Sequence, residues 1–266
     1  MRTIFGSLPF YDSLTKQDVT RTNAVVPIYC PQNKLPSFEL CMGAGNVATV
    51  NVATVTSVKL VSCTGTEKEI ISYFNIAPKV YHPTALDFNT YIKYNGNVMT
   101  LDMPLGVYYV KLAGSGYTYY SDYIRIDKAT NLYTKFIKIE FYNTDNIGDL
   151  LYEDSFFQTV WLKGALNNPT HEMVNVGEEK DGIFIAEKIV SKYIYSIIAY
   201  VSRGLYNCLI RLPQHDTITI TDEVGNIYTP AVGNIIVEPA EWVSYETCKL
   251  TIKFNDGANS NFSWVK

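Results

Sequence analysis

The sequence predicts an all-β protein: two tandem β-sandwich domains of the immunoglobulin or fibronectin kind, at 25–130 and 131–266, behind an N-terminal arm at 1–24. Three observations carry this. Short β-prone runs recur between turn residues along the whole chain, the spacing of a sandwich or barrel and not of a βαβ sheet. Tyrosine occurs 21 times among 14% aromatics, and its apolar ring with a polar tip suits strands and interfaces. Helical spacing is confined to 205–212, where Leu205, Leu209 and Leu212 share a face,. With 47% apolar and 18% charged residues the chain has the balance of a folded protein,.

Within the arm, Pro9, Asp12, Asp18 and Asn23 interrupt any period,. Its apolar residues Ile4, Phe5, Leu8, Phe10 and Tyr11 need a cover, either the chain's own core edge or a neighbouring molecule. They are therefore candidate interface residues.

Strands are expected at 25–29, 38–42 and 56–62, the last with Val58 and Leu60 alternating with Ser57 and Lys59,. The turn at Cys63, Thr64, Gly65 and Thr66 leads into a strand at 67–73. Asn95-Gly96 between apolar runs at 91–94 and 98–103 is a hairpin signal,. Another hairpin joins 107–112, with Tyr108, Val110 and Leu112 on one face, to 117–126, with Tyr120, Ile124 and Ile126 on one face,. The polar stretch 127–131 then falls where a sandwich of about 100 residues ends,.

The second half restarts at 136–142, where Ile137, Ile139 and Phe141 alternate with Lys138 and Glu140. Further strands are expected at 158–163, 182–189, 192–202, 217–221, 233–237 and 249–254, with a short helix at 205–212,. The tandem pentapeptide at 46–55, Asn-Val-Ala-Thr-Val twice, is β-prone and uncharged. Left bare, such a run invites aggregation, so a partner strand or subunit is expected over it.

Charge and cysteine usage narrow the function classes. A net charge of −4 provides no basic field, so the counterion-release term behind nucleic-acid binding is missing and no nucleic-acid partner is expected. Five cysteines, Cys30, Cys41, Cys63, Cys208 and Cys248, lack CxxC spacing and read as reduced core residues made in a reducing compartment. No apolar run of signal-peptide length precedes Pro9 and Asp12, and the stretch 193–201 is far shorter than the roughly 20 residues of a membrane span,. A soluble chain without a membrane span is expected.

Candidate chemistry is sparse. The stretch from Gly43 through Gly45 to Ala48 fits G-x-G-x-x-A, yet the Val/Thr-rich repeat that follows favours strand over the helix that would hold a pyrophosphate. His82, His171 and His215 stand apart in turn-like contexts without metal-ligand spacing, and His215-Asp216 is at most half of a metal pair,. No nucleophile elbow occurs,. Asp145, Asp149, Glu153 and Asp154 read as a solvated acidic loop, with loop-bound calcium as the alternative,. Tyr117, Tyr119 and Tyr123 are expected outward on a sheet, as a protein contact or a sugar-stacking platform. No enzyme activity, cofactor or resident metal is expected.

The hairpin at 106–112 and 117–126, GVYYVKL and YTYYSDYIRI, resembles one recurring in structural proteins of Bacteroidales phages, the crAss-like phages among them. The stretches TSVKLVSCTGTE at 56–67 and DLLYEDSFFQTVWL at 149–162 are also similar to theirs. The resemblance implies a virion protein of the tail or head-to-tail connector, present in a ring of copies, assembled in the host cytoplasm and partnered by other virion proteins and by itself. The rival expectation from the residues is a β-sandwich adhesin or lectin.

Overall fold

The computed structural model describes residues 2–6, 8, 10–11, 26–44, 55–81, 86–94, 104–114, 117–128, 136–144, 157–245, 247–255 and 262–265. The protein is all-β, with four sheets and one short α-helix among the described residues. The pentapeptide repeat before Val55, the Asn95-Gly96 turn, His82 and the acidic loop at 145–154 lie outside them.

The first half contributes β1 (Arg2–Gly6), β2 (Phe10–Tyr11), β3 (Ile28–Pro31), β4 (Phe38–Ala44), β5 (Val55–Ser62), β6 (Glu67–Glu69), β7 (Asn75–Tyr81), β8 (Leu86–Tyr94), β9 (Gly106–Gly114), β10 (Tyr117–Ser121) and β11 (Ile124–Asp127). One sheet has the order β1-β4-β8-β7. In the other, β9 carries β5 and β6 on one side and β10 with β11 on the other, and β2 and β3 lie outside these. The sheets meet where Phe10 of β2 lies 5.0 Å from Phe38 of β4, and Phe74, just before β7, adds its ring to Phe38 at 5.6 Å and Tyr94 at 5.2 Å. Burying such a ring contributes on the order of 1.5–3 kcal/mol.

The N-terminal segment is built into this body. β1 pairs with β4, β2 pairs with β10, Leu8 is fully buried and Phe10 is buried. Its apolar residues are covered at Leu8 and Phe10 by the chain's own core, which is where the burial energy of a short segment is nearest to hand. For Ile4, Phe5 and Tyr11 the strand backbone alone is described.

β10 and β11 divide a run expected as one strand. Tyr120 pairs with Lys111, whereas Ile124 pairs with Tyr108, so an extra residue sits between Ser121 and Ile124. The Ser121 hydroxyl fills the gap, accepting from Val110 N–H at 2.8 Å and donating to Asp122 O at 2.8 Å. The result is a β-bulge that flips the face of everything beyond it.

The second half contributes β12 (Phe136–Tyr142), β13 (Gln158–Lys163), β14 (Leu166–Lys180), β15 (Ile183–Ser202), α1 (Arg203–Leu209), β16 (Thr217–Thr221), β17 (Ile227–Tyr228), β18 (Ile235–Val237), β19 (Glu241–Trp242), β20 (Thr247–Asn255) and β21 (Phe262–Val265). One sheet has the order β13-β12-β16-β17; the other runs β14-β15-β20-β18, with β19 on β20 and β21 on β15. Tyr228 from the first of these packs against Tyr195 at 5.0 Å and Phe254 at 5.6 Å from the second. The helix starts earlier than its leucine spacing indicated, because Ser202 Oγ accepts from Leu205 N–H and caps it,.

Where two strands were expected at 182–189 and 192–202, β15 is continuous over 20 residues and pairs with a 15-residue β14. The halves share one buried core cluster. At their junction Ser37 and Thr159 hydrogen-bond each other, Lys34 lies 5.7 Å from the Trp161 ring centre, and Lys163 lies 4.8 Å from that of Tyr29.

Candidate functional site

The register of β9 dictates which tyrosines face outward. Tyr108, Val110 and Leu112 are buried, so Tyr109 and Lys111 take the other face,. There Tyr109 meets Tyr120 at 6.0 Å and Tyr123 at 6.1 Å, with interplanar angles of 60° and 89°. Tyr119 pairs with Leu112 and packs half-buried against the core, so it is not part of this face. The strand backbone places Tyr117 opposite Gly114. Of the three tyrosines expected outward, Tyr123 belongs to the cluster, and its centre is Tyr109.

Beside the cluster, Glu67 bridges Lys59 at 2.6 Å and Lys111 at 3.0 Å. These two hydrogen bonds hold the Glu67 carboxyl below its ordinary range. Desolvation raises the phenols of Tyr109 and Tyr123, so the face stays neutral at its rings and charge-paired at its rim. Rings set edge to face use each other's faces, which suits a packed protein contact better than a flat sugar platform.

A groove of about 500 Å³ opens at the β5–β6 turn, lined by Cys63, Thr64, Glu67, Pro104, Leu105 and Tyr108 among others. Its chemistry is quiet. Desolvation raises the exposed Cys63 thiol, away from the thiolate that a nucleophile needs,. Glu67 is tied to two lysines, and Tyr108 Oη donates to Pro104 O at 2.7 Å. Cys63 also differs from the buried cysteine expected from the sequence; Cys30 and Cys248 are buried and Cys208 is half-buried.

His215 is buried, with Nδ1 2.9 Å from Arg211 O and its ring edge-on to Phe141 at 4.7 Å. Asp216 clamps a loop: its carboxylate accepts from Thr144 N at 2.8 Å and from Thr217 Oγ1 at 2.9 Å. The pair serves packing and turn closure. Among the described residues no group of three His, Cys, Asp or Glu side chains is placed to hold a metal ion. The His171 ring lies 4.3 Å from that of Tyr193, tilted by 54°.

The β14–β15 hairpin is the most extended feature. Its turn uses Asp181 at φ 54° and Gly182 at φ 76°, two successive left-handed residues as a type I′ turn demands. Among the described residues β20 supports β15 at Ile194–Ser202 and β21 supports it at Lys188–Ser191. Beyond the β20 contact, the 11 residues from Ile183 to Tyr193 span about 36 Å,. The sequence carried a signal for this ribbon in Asp181-Gly182, but Pro169 and the charges of 172–180 disguised β14.

At the far end of β15, Arg203 lies 4.2 Å from the Tyr245 ring centre and 5.0 Å from that of Trp242, which Tyr206 meets edge-on at 5.7 Å. Trp242 is 47% and Tyr245 74% exposed. Arginine, tryptophan and tyrosine are the residue types that dominate binding energy at protein interfaces. No residue of this socket stood out in the sequence, because its parts lie some 40 positions apart.

No protein-family model and no curated protein matches the chain.

Proposed function

We propose that this chain is a non-catalytic structural protein of a phage virion, a ring or adaptor subunit of the tail or head-to-tail connector that works through protein–protein interfaces. The observation that carries the reading is the β14–β15 ribbon. A two-stranded hairpin is marginal in water by itself, and here the turn end, from Gly177 to Ala186, is paired only within the ribbon among the described residues. Such a ribbon gains its ordering free energy by lying on a neighbour. The outward Tyr109 cluster and the Arg203 socket supply further aromatic contact surface, and the resemblance of the 106–126 hairpin supplies the setting: assembly in the host cytoplasm into a virion.

Paired sheets around an aromatic core in each half, antiparallel apart from the parallel β3–β11 pair, support the tandem immunoglobulin-like sandwich reading. The test joins light scattering on the purified chain with peptide mapping of free phage particles. Multi-copy presence in particles supports the virion role. A stable monomer missing from particles sinks it, and a melting shift with saccharides would then favour the adhesin reading.

A further inference from the structure

Among the described residues Arg203 is a cation without a carboxylate partner. Its guanidinium rests against Tyr245 and Trp242, and among the described residues it makes no ion pair or hydrogen bond. The nearby lysines differ: Lys249 is held by Glu241 at 3.1 Å and Lys253 by Glu238. A guanidinium clamped by rings keeps its planar N–H fork in place and open to a carboxylate, which it binds through two parallel hydrogen bonds.

At the other end of the same strand, the hairpin turn concentrates acid. In sequence Glu178, Glu179 and Asp181 flank a single Lys180, and Glu179, Lys180 and Asp181 are exposed. Twenty residues of β15 separate turn from socket, roughly 60 Å of extended chain,. A molecule therefore cannot bring its own turn to its own socket, but a second copy can.

We infer that the acidic turn of the β14–β15 hairpin docks in the Arg203–Trp242–Tyr245 socket of a second copy of this chain. Because donor and acceptor surfaces differ and lie at opposite ends, the contact is head-to-tail and propagates into a ring or a filament. This rests on the assembly reading above and adds which surfaces meet.

The experiment uses charge reversal on the full chain. Arg203→Glu makes the socket acidic; the double variant E178K/E179K makes the turn basic. Each variant by itself is expected to self-associate at least about tenfold more weakly than the parent, the scale of losing a charge-assisted hydrogen bond. An equimolar mixture is expected to regain association, since each variant then supplies the surface that the other needs. Recovery also shows that both variants are folded.

Self-association that survives both reversals, or a mixture that fails to recover, overturns the turn-to-socket contact while leaving assembly through other surfaces intact. A parent chain that stays monomeric at every concentration overturns it too, and peptide mapping of particles then decides the assembly reading separately. Loss of Arg203→Glu from particles by a chain that is monomeric alone would assign the socket to another virion protein instead of a second copy.

Discussion

Ser37 and Thr159 hold the two halves of the chain together through a reciprocal pair of hydrogen bonds: Ser37 N–H donates to Thr159 O at 3.3 Å, and Thr159 N–H donates to Ser37 Oγ. Both residues are buried. Ser37→Ala leaves the Thr159 N–H buried without its acceptor, at a cost of about 1–3 kcal/mol. Thr159→Val should behave oppositely, because Thr159 Oγ1 has no hydrogen-bond partner and its removal relieves a desolvated hydroxyl. Urea unfolding of both variants checks the pair, and equal destabilisation by the two would contradict this account.

Ser121 performs a comparable task inside the first half. Its hydroxyl is the acceptor for Val110 N–H where the bulge between β10 and β11 interrupts the ladder. Ser121→Ala is expected to destabilise by about 1–3 kcal/mol, and hydrogen exchange should show the Val110 amide losing protection first. An unchanged Val110 exchange rate would mean that another group accepts the hydrogen bond from its N–H.

The same bulge explains what was legible in the sequence and what was not. β12, β13 and β16 have the expected boundaries; in β12 and β16 one buried face imposes a period of two, whereas β13 is buried along its first five residues. Tyr120 was grouped with Ile124 and Ile126, but the extra residue after Ser121 reverses the parity: Tyr119 and Ile124 face the core, and Tyr120 faces out. No local composition marks such a bulge. β14 was missed because Pro169, Glu172, Glu178 and Glu179 resemble a loop, although an edge strand tolerates proline and charge,. The Arg203 socket exists only once β15, α1 and β19 have been brought together.

Acid should weaken the fold in two stages. Burial holds the His215 imidazole below its ordinary pKa of 6.5, outweighing the Leu212 and Arg211 carbonyls and the Asp216 carboxylate, which raise it. Asp222 is desolvated, which raises its pKa, yet Asn226 and the backbone N–H groups of Val224 and Gly225 stabilise the carboxylate and bring it below 3.8. In both cases the unfolded chain takes up its proton at the higher pH. Stability is therefore full above about pH 6.5, declines as His215 is forced to charge, and declines again below about 3.8. Urea midpoints measured from pH 7.5 to 3 should show both limbs, and His215→Gln should remove the upper one. A midpoint that is flat between pH 7 and 5 would contradict the buried imidazole.

Cysteine labelling should follow burial. Cys63 is exposed on its turn, whereas burial drives the Cys30 thiol well above its ordinary range and the Cys208 thiol up to about 12. Cys208 also donates to Gln158 Oε1 at 3.0 Å. Peptide-resolved maleimide labelling of the native chain should mark Cys63 ahead of the half-buried Cys208, with Cys30 reacting only on unfolding. Early labelling of Cys30 would mean that the first-half core opens locally.

Shortening the ribbon separates its role from that of the body beneath it. Val176 and Lys188 are paired in the native ladder, and β21 grips β15 from Lys188 to Ser191. Replacing 177–187 with an Asn-Gly turn therefore removes the projecting end while keeping every rung that another strand supports. The body should keep its stability within about 0.5 kcal/mol, the usual range for a change away from the core, while self-association falls as it does on reversing the charge of the turn. A large loss of stability would place the ribbon in the folding core, whereas undiminished association would mean that copies meet elsewhere, with the Tyr109 face the next surface to test.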